Sequence, residues 1–337
     1  MRPGRTTDVE TRGFNPRPAE RVRGASGSSS PHLYPDVAPS YPRPVAHSSS
    51  GWVGCLAPLV LLAGCGGGAD TGTDDTSPAN LFDDHTLSIA HRGGVDEFPE
   101  HTLFAYGAAA DLGVDVLELD VHRSADGVIV AIHDDTVDRT TEGSGAVAEL
   151  SASELRTLDA AYWFTLDGTS YPERGRGHVI PTLPEVLEAF PTTPLTIEIK
   201  ADDAELGRDV VAMLDAAGRH EDSYVWSAHV DVTEAARTSG SGIMVGLNYA
   251  EMVQLSAHPV EDLGSYVAPG PFAQIPLDLN GLKILDEALV DKAHAAGIRV
   301  HAWTINDPED MQRMLDWGVD GIITDRPSQL LEFLPED

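Results

Sequence analysis

The residues of this sequence best suited to chemistry are two histidines and an arginine that follow apolar segments. His91 and Arg92 come directly after the run 87–90, and His133 comes after the run 128–132. Two imidazoles can divide the roles of general base and general acid near neutral pH. An arginine offers a planar guanidinium that matches phosphate oxygens. The combination indicates cleavage of a phosphate ester.

Three carboxylates occupy positions inside otherwise apolar segments, Glu118 and Asp120 in one segment and Glu198 in another. Carboxylates in such places need a cation or hydrogen bonds as compensation. If all three carboxylates converge, binding of a divalent metal explains them better than an arrangement of three carboxylates without a cation. Purely oxygen ligation favours Ca²⁺ or Mg²⁺ over Zn²⁺. The sequence therefore predicts a site for one divalent cation.

The two cationic candidates each have a second interpretation. Lys200 lies two residues after Glu198, and lysine occurs at only three positions in the chain. Lys200 can neutralise a phosphate oxygen or simply form a salt bridge with Glu198. Arg92 can bind the phosphate or pair with Glu100 or Glu118.

Alternating strand and helix patterns place these residues at the ends of strands in a parallel sheet. Eight candidate strands predict an α/β fold, a closed (β/α)8 TIM barrel over 85–337, whose chemistry belongs at the C-terminal ends of the strands. The predicted strands cover 87–90, 116–121, 195–199, 223–227, 243–247, 273–276, 298–304 and 320–323. The predicted helices cover about 101–112, 183–190, 203–217, 231–238, 286–296 and 308–316.

The segment 128–132 is predicted to fold back on 116–122 as an antiparallel hairpin. Its connection is too short for a parallel crossover and contains Asp-Gly, a strong hairpin signal. The hairpin brings His133 roughly opposite Glu118. Residues 134–182 lack strand or long-helix patterning, which predicts a small insertion subdomain after His133. Some of its side chains either shape the substrate entrance or only cover the barrel: Tyr162, Trp163, Phe164, Tyr171, Arg174 and Arg176.

The N-terminal residues 1–64 predict an extension that ends in a lipoprotein-type signal segment. The apolar run 53–63 has the length of a signal h-region and is too short to span a bilayer. It ends in Leu62-Ala63-Gly64-Cys65, which is similar to a prokaryotic lipobox. We expect lipidation of Cys65, a flexible tether at 65–84 and an extracytoplasmic, membrane-anchored prokaryotic protein. An unlipidated tether or a soluble N-terminal extension is the alternative.

The charge of the chain excludes nucleic acid as a partner. Its formal net charge is −32 at pH 7, so its overall field repels polyanions. The acidic, lysine-poor composition fits either adaptation to high salt or an acidic secreted protein from a GC-rich genome. An anionic substrate must then be captured by a local metal and local cations.

Taken together, the motifs resemble the glycerophosphodiester phosphodiesterase family of the PI-PLC-like phosphodiesterase superfamily. The resemblance covers 87–333 and implies a TIM barrel with an insertion after the second catalytic histidine. It implies acid–base roles for His91 and His133, metal binding by Glu118, Asp120 and Glu198, and phosphate contacts by Arg92 and Lys200. The motifs are His91-Arg92-Gly93, Pro99-Glu100-x-Thr102, Glu118-x-Asp120, Asp126-Gly127, His133-Asp134, Asp138-Arg139-Thr140-Thr141, Ile180-Pro181-Thr182-Leu183, Glu198-Ile199-Lys200, Trp303-Thr304-Ile305-Asn306 and Ile323-Thr324-Asp325.

One position departs from the family pattern, since His101 stands where the family usually has Asn. We expect His101 to cap the following helix or to orient Glu100, rather than to act as a further protonatable group. Glu100 is expected to support the site. Trp303 either packs beside the glycerol of the substrate or belongs to the core.

The resemblance implies metal-dependent hydrolysis of a glycerophosphodiester to sn-glycerol 3-phosphate and an alcohol. An alternative within the same barrel is phospholipase-D-like action on lysophospholipids or sphingomyelin. A protein of another class, a lipoprotein that only captures glycerophosphodiesters, would not need both histidines.

Overall fold

A computed structural model describes residues 85–279 and 281–335 of the chain. The predicted signal segment, the tether and Cys65 lie outside the described residues. The strands are β1 (Leu87–Ala90), β2 (Val116–Arg123), β3 (Ile129–Ala131), β4 (Leu195–Ile199), β5 (Ser223–Trp226), β6 (Met244–Val245), β7 (Phe272–Pro276), β8 (Asp278–Leu279), β9 (Leu282–Lys283), β10 (Arg299–Trp303) and β11 (Gly321–Thr324).

Eight of these strands run parallel in the order β6-β5-β4-β2-β1-β11-β10-β7 and curve into a nearly closed barrel. The two end strands meet where the backbone N–H of Leu247 donates to the carbonyl of Phe272 at 2.9 Å. The eight strands predicted from the sequence are all present, and the TIM-barrel prediction is confirmed. Because the strands are parallel, their carboxyl ends gather at one mouth of the barrel.

Helices cover the outside of the barrel, so most strand residues are buried on both faces. The helices are α1 (Leu103–Leu112), α2 (Ala152–Leu155), α3 (Leu183–Ala189), α4 (Ala204–Ala216), α5 (Val230–Arg237), α6 (Tyr249–Ala257), α7 (Glu287–Ala295), α8 (Pro308–Asp316) and α9 (Pro327–Leu331). The six predicted helices are present, whereas α2, α6 and α9 were not predicted. Across residues 85–279 and 281–335, none of the helices has the length and hydropathy of a bilayer-spanning segment.

The strand β3 pairs with β2 in the antiparallel sense that the sequence predicts, with Val121 opposite Ala131. The backbone N–H of Ile132 donates to the carbonyl of Asp120 at 3.0 Å. This contact places His133, the next residue, beside Asp120 of β2. The hairpin therefore positions a histidine at the same mouth as the strand-end carboxylates.

Residues 134–182 contain the short helix α2 and a 3-10 turn (Val147–Glu149). Their apolar side chains form a small core of their own against β3, with members such as Val137 and Ile180. The guanidinium of Arg174 lies 4.0 Å from the ring centre of Tyr162 and 3.9 Å from that of Tyr171. These contacts stabilise the segment internally.

Candidate active site

His91 is fixed at the barrel mouth by a carboxylate from the neighbouring strand. It follows β1 directly, and its Nδ1 lies 2.5 Å from Oδ1 of Asp325, which follows β11. Asn306 donates to the other oxygen of Asp325 at 2.6 Å. Burial would raise the pKa of Asp325, but the contacts with His91 and Asn306 lower it. With Nδ1 held by Asp325, Nε2 of His91 is the nitrogen left for proton transfer.

His133 has the same kind of support from its own neighbour. Its Nδ1 lies 2.6 Å from Oδ1 of Asp134. Arg139 donates to Asp134 at 2.7 Å, which anchors that carboxylate in turn. Burial lowers the pKa of His133 to about 4, so the imidazole is neutral near pH 7 and can accept a proton. Each histidine therefore presents Nε2 from a ring whose Nδ1 faces a carboxylate.

The three predicted metal ligands converge. Glu118, Asp120 and Glu198 each offer one oxygen, and these oxygens lie within 4.8 Å of one another. In-register pairing of β2 with β4 sets Asp120 beside Glu198. Glu118 and Asp120 lie two residues apart on β2, so they share one face of the strand.

Charge crowding shows in the pKa values of this cluster. Burial and the charge of Asp120 raise the pKa of Glu118 well above its usual range and that of Glu198 to about 8. Burial would also raise the pKa of Asp120, but the hydrogen bond from His101 and the nearby cations lower it. Three convergent oxygen ligands, two buried and that of Glu198 partly buried, fit a hard divalent cation such as Ca²⁺ or Mg²⁺.

Both predicted phosphate-binding cations lie beside this cluster, and both already contact carboxylates. Arg92 places Nε 3.3 Å from Asp120 and Nη1 3.3 Å from Glu100. Lys200 places Nζ 3.0 Å from Glu198 and 3.6 Å from Asp120. The ion-pair interpretations from the sequence are therefore present in the structure. Both side chains are also partly exposed, so Arg92 and Lys200 can still reach a phosphate group at the barrel mouth.

The tight turn that carries Arg92 depends on backbone in the left-handed region. Arg92 has φ 54°, and Gly93 has φ 86°. A Cβ on Gly93 would lie 2.9 Å from the Cβ of Ala105, so only glycine fits there. The turn lets the backbone N–H of Arg92 donate to Glu118 at 2.7 Å. Arg92 thus touches the carboxylate cluster with its backbone as well as its side chain.

Glu100 supports the site through Arg139, a residue to which the sequence interpretation gave no role. Arg139 donates to both oxygens of Glu100, at 2.6 and 2.8 Å. Burial would raise the pKa of Glu100, but the bond from Arg139 and the charge of Arg92 lower it to about 2. Arg139 also holds Asp134, so one guanidinium joins the carboxylate behind Arg92 to the carboxylate behind His133.

The structure corrects the expectation for His101. Thr102 caps α1, because its side chain accepts from the backbone N–H of Ala105. His101 has φ 54° and turns its ring inward, where Nε2 lies 2.9 Å from Asp120 and Nδ1 lies 2.7 Å from the hydroxyl of Tyr106. Its partners are thus Asp120 and Tyr106, and neither a capping role nor an orienting contact with Glu100 is found.

Trp303 ends β10, which is separated from β1 by the single strand β11. Its ring centre lies 6.2 Å from that of Trp226, which ends β5 beside Glu198. Trp226 in turn lies 6.1 Å from Tyr249. Trp303 also packs against the barrel core, so its two interpretations from the sequence both remain predictions.

The sequence interpretation missed the residues that orient the histidines. Asp325 and Asn306 appear in the quoted motifs, as do Asp134 and Arg139, but none of the four was given a function. Asp134, Asn306 and Asp325 follow the ends of β3, β10 and β11, and that position was the available signal, whereas Arg139 lies in the insertion. Their contacts depend on which strands become neighbours, which local patterning does not encode.

Comparison with known proteins agrees with this arrangement. The model of the glycerophosphoryl diester phosphodiesterase family matches residues 91–329. Over 291 residues the chain is 31% identical to a glycerophosphodiester phosphodiesterase of Bacillus subtilis. This match covers 81% of this chain and 94% of that protein. Over 269 residues it is 30% identical to a lysophospholipase D of Homo sapiens, covering 73% of this chain and 85% of that protein.

A solved structure with the same fold carries a bound product. The phosphodiesterase of Oleispira antarctica in complex with sn-glycerol 3-phosphate matches with a TM-score of 0.57 and 26% identity. The match covers 72% of this chain and 94% of that one.

Proposed function

Because the chain belongs to the glycerophosphoryl diester phosphodiesterase family and is a glycerophosphodiester phosphodiesterase, we propose that it works by metal-dependent acid–base catalysis with two histidines. The products are sn-glycerol 3-phosphate and an alcohol, and the Oleispira antarctica complex with that product supports this assignment. One observation carries the proposal: two carboxylate-backed imidazoles stand at the same barrel mouth as three convergent acidic oxygens.

His91 and His133 divide the proton transfers. One imidazole removes a proton from the attacking oxygen, and the other gives a proton to the oxygen of the departing alcohol. Asp325 and Asp134 hold the rings by Nδ1 and stabilise the imidazolium that forms when Nε2 accepts a proton. The two histidines approach from different segments, one after β1 and one after β3.

Glu118, Asp120 and Glu198 would hold the divalent cation. When bound, such an ion stabilises the negative charge that grows on the phosphoryl oxygens in the transition state. The three acidic side chains would bind the ion as carboxylates, so ion binding would compete with protonation of Glu198, whose pKa is raised to about 8. The all-oxygen donor set favours Ca²⁺ or Mg²⁺ and does not distinguish between these two ions.

Arg92 and Lys200 bind the phosphate of the substrate in this scheme. Arg92 contacts Asp120, and Lys200 contacts Asp120 and Glu198. With a cation held by Glu118, Asp120 and Glu198, these ion pairs would weaken, and the guanidinium and the ammonium could turn toward phosphate oxygens. Trp303 packs beside the glycerol of the substrate, on the aromatic side of the mouth.

A second candidate function is release of the headgroup from lysophospholipids. The relative named lysophospholipase D shares 30% identity with this chain, and that similarity favours the candidate. The same catalytic groups would serve, because the bond cut is again a phosphodiester. The two candidates differ in whether the substrate carries an acyl chain.

The test is a substrate panel assayed with the purified protein. We expect release of sn-glycerol 3-phosphate from glycerophosphocholine, loss of turnover in EDTA and recovery with Ca²⁺ or Mg²⁺. His91→Ala and His133→Ala should each lower kcat by about 100- to 10,000-fold. His294→Ala removes an imidazole that faces outward on α7 and should leave kcat unchanged.

Other outcomes separate the alternatives. Faster turnover of lysophosphatidylcholine than of glycerophosphocholine would establish the second candidate. Full activity in EDTA, or full activity of His133→Ala, would contradict the mechanism.

We further propose that the mature chain is a lipoprotein anchored outside the cytoplasm through Cys65. The support is the sequence alone, an apolar run followed by Leu62-Ala63-Gly64-Cys65. Mass spectrometry of the N-terminal peptide from protein made in a bacterial host should find a diacylglyceryl group on Cys65. An unmodified peptide that begins upstream of Cys65 would contradict it.

A further inference from the structure

A buried pair of side chains, His101 and Tyr106, stands behind Asp120. His101 is 3% exposed and Tyr106 is 0% exposed. His101 places Nε2 2.9 Å from Oδ2 of Asp120 and Nδ1 2.7 Å from the hydroxyl of Tyr106. The proton transfers proposed above use neither side chain.

The chemistry of the partners assigns the hydrogen atoms. A carboxylate can only accept, so Nε2 of His101 carries the proton and donates to Asp120. In that tautomer Nδ1 is an acceptor, and the hydroxyl of Tyr106 donates to it. Tyr106 therefore holds the imidazole of His101 in the tautomer whose Nε2–H donates to Asp120. Residues that hydrogen-bond to the groups around a metal site commonly fix their orientation in this way.

The bond to His101 occupies only one oxygen of Asp120. The other oxygen, Oδ1, lies 3.6 Å from Nζ of Lys200, which is itself 3.0 Å from Glu198. Oδ2 also lies 3.3 Å from Nε of Arg92, so His101 makes the shorter of two contacts with this oxygen. Together they leave Oδ1 facing Lys200 and restrict the orientation of the carboxylate of Asp120.

The backbone explains why a histidine can do this at position 101. Its φ of 54° lies in the left-handed region, where histidine is one of the few side chains other than glycine that occurs with some frequency. Thr102 then starts α1, which brings Tyr106 one turn into the helix and directly behind the imidazole. The left-handed backbone at His101 and the helix cap at Thr102 together bring His101 and Tyr106 into contact.

We propose that His101, held by Tyr106, is a positioning residue that fixes the carboxylate of Asp120 and thereby sets the affinity of the protein for its divalent cation. This inference rests on the proposed function, because it requires a cation bound by Glu118, Asp120 and Glu198. Loss of partners that hold metal ligands commonly weakens metal affinity by about 10- to 100-fold.

The test is isothermal titration calorimetry of the full chain with Ca²⁺ and with Mg²⁺, beside melting temperatures measured in EDTA. His101→Phe keeps the ring volume but removes the donor, so its Kd should rise by about 10- to 100-fold. His101→Gln keeps an N–H near the place of Nε2 and should restore most of the affinity. Tyr106→Phe should raise the Kd less than His101→Phe does.

The matched control is Tyr224→Phe, which removes a hydroxyl from another fully buried tyrosine of the barrel and should leave the Kd unchanged. Lower melting temperatures with unchanged Kd values in the His101 and Tyr106 variants would mean a purely structural role and overturn the inference alone. An unmodified protein that binds neither cation would overturn the metal site and the inference with it. Hydrolysis of glycerophosphocholine, assayed in parallel, separates that result from loss of the phosphodiesterase function.

Discussion

Arg139 joins two parts of the site that the chain itself keeps 34 residues apart, Glu100 behind Arg92 and Asp134 behind His133. Its five N–H donors lie in one plane, so it holds both carboxylates at once, which a lysine cannot do with the same geometry. The orientation of the His133 ring therefore depends on a side chain whose partners are the two supporting carboxylates, Glu100 and Asp134.

Replacing Arg139 tests this dependence. We expect Arg139→Met to lower kcat by about 10- to 100-fold, because small misplacements of a catalytic group are costly. Arg139→Lys should recover only part of the loss. Arg123→Met is the matched control, since Arg123 also pairs with two carboxylates, Asp203 and Asp209. A kcat for Arg139→Met equal to that of the control would contradict the positioning role.

At the scale of elements, β2 and β4 bring like charges together inside the barrel wall. The carboxyl of Glu198 has its pKa raised to about 8 from 4.5, so it holds a proton in the folded protein that the unfolded chain has already lost. The contribution of Glu198 to stability without a cation therefore falls as the pH rises between these two values. A divalent cation competes with those protons, so its stabilising effect must grow over the same range.

Melting temperatures measured in EDTA and in Ca²⁺ check this sign. The melting temperature in Ca²⁺ should exceed that in EDTA by little near about pH 5 and by more near about pH 8. Glu198→Gln removes the titrating group and one ligand, so it should flatten the pH dependence in EDTA and reduce the gain from Ca²⁺. A gain from Ca²⁺ that does not change with pH would count against the cluster as the binding site.

The elements were predictable where burial left a local pattern. The barrel strands are short apolar runs because both of their faces are covered, and each run is visible in the sequence. Helix α6 escaped prediction, although Asn248 and Glu251 form a capping box that marks its start. Its exposed Val253 blurs the division into an apolar and a polar face.

The site was predictable only in part, because contacts between strands that are distant in sequence leave no local pattern. The residue types at strand ends and inside apolar runs predicted the histidines, the three carboxylates and the two cations. The contact between His91 and Asp325 joins residues 234 positions apart, and it exists because β1 and β11 become neighbours when the barrel closes. The role of His101 was misjudged because the cap lies one residue later, at Thr102, which frees the imidazole to turn inward.

At the scale of the whole molecule, the net charge of −32 sets the conditions under which the site must work. The overall field repels an anionic diester, and salt weakens this repulsion over a distance of about 10 Å. Under the proposed mechanism, capture of the substrate therefore depends on contacts at the mouth, where Arg92, Lys200 and a bound cation would offer positive charge.

The most direct test of the account is a crystal structure grown with Mn²⁺ and sn-glycerol 3-phosphate, with the ion located by anomalous diffraction. The account predicts one ion bound by Glu118, Asp120, Glu198 and a phosphate oxygen, with Nε2 of both His91 and His133 facing the phosphate. An ion bound elsewhere, or either imidazole turned away from the phosphate, would contradict it.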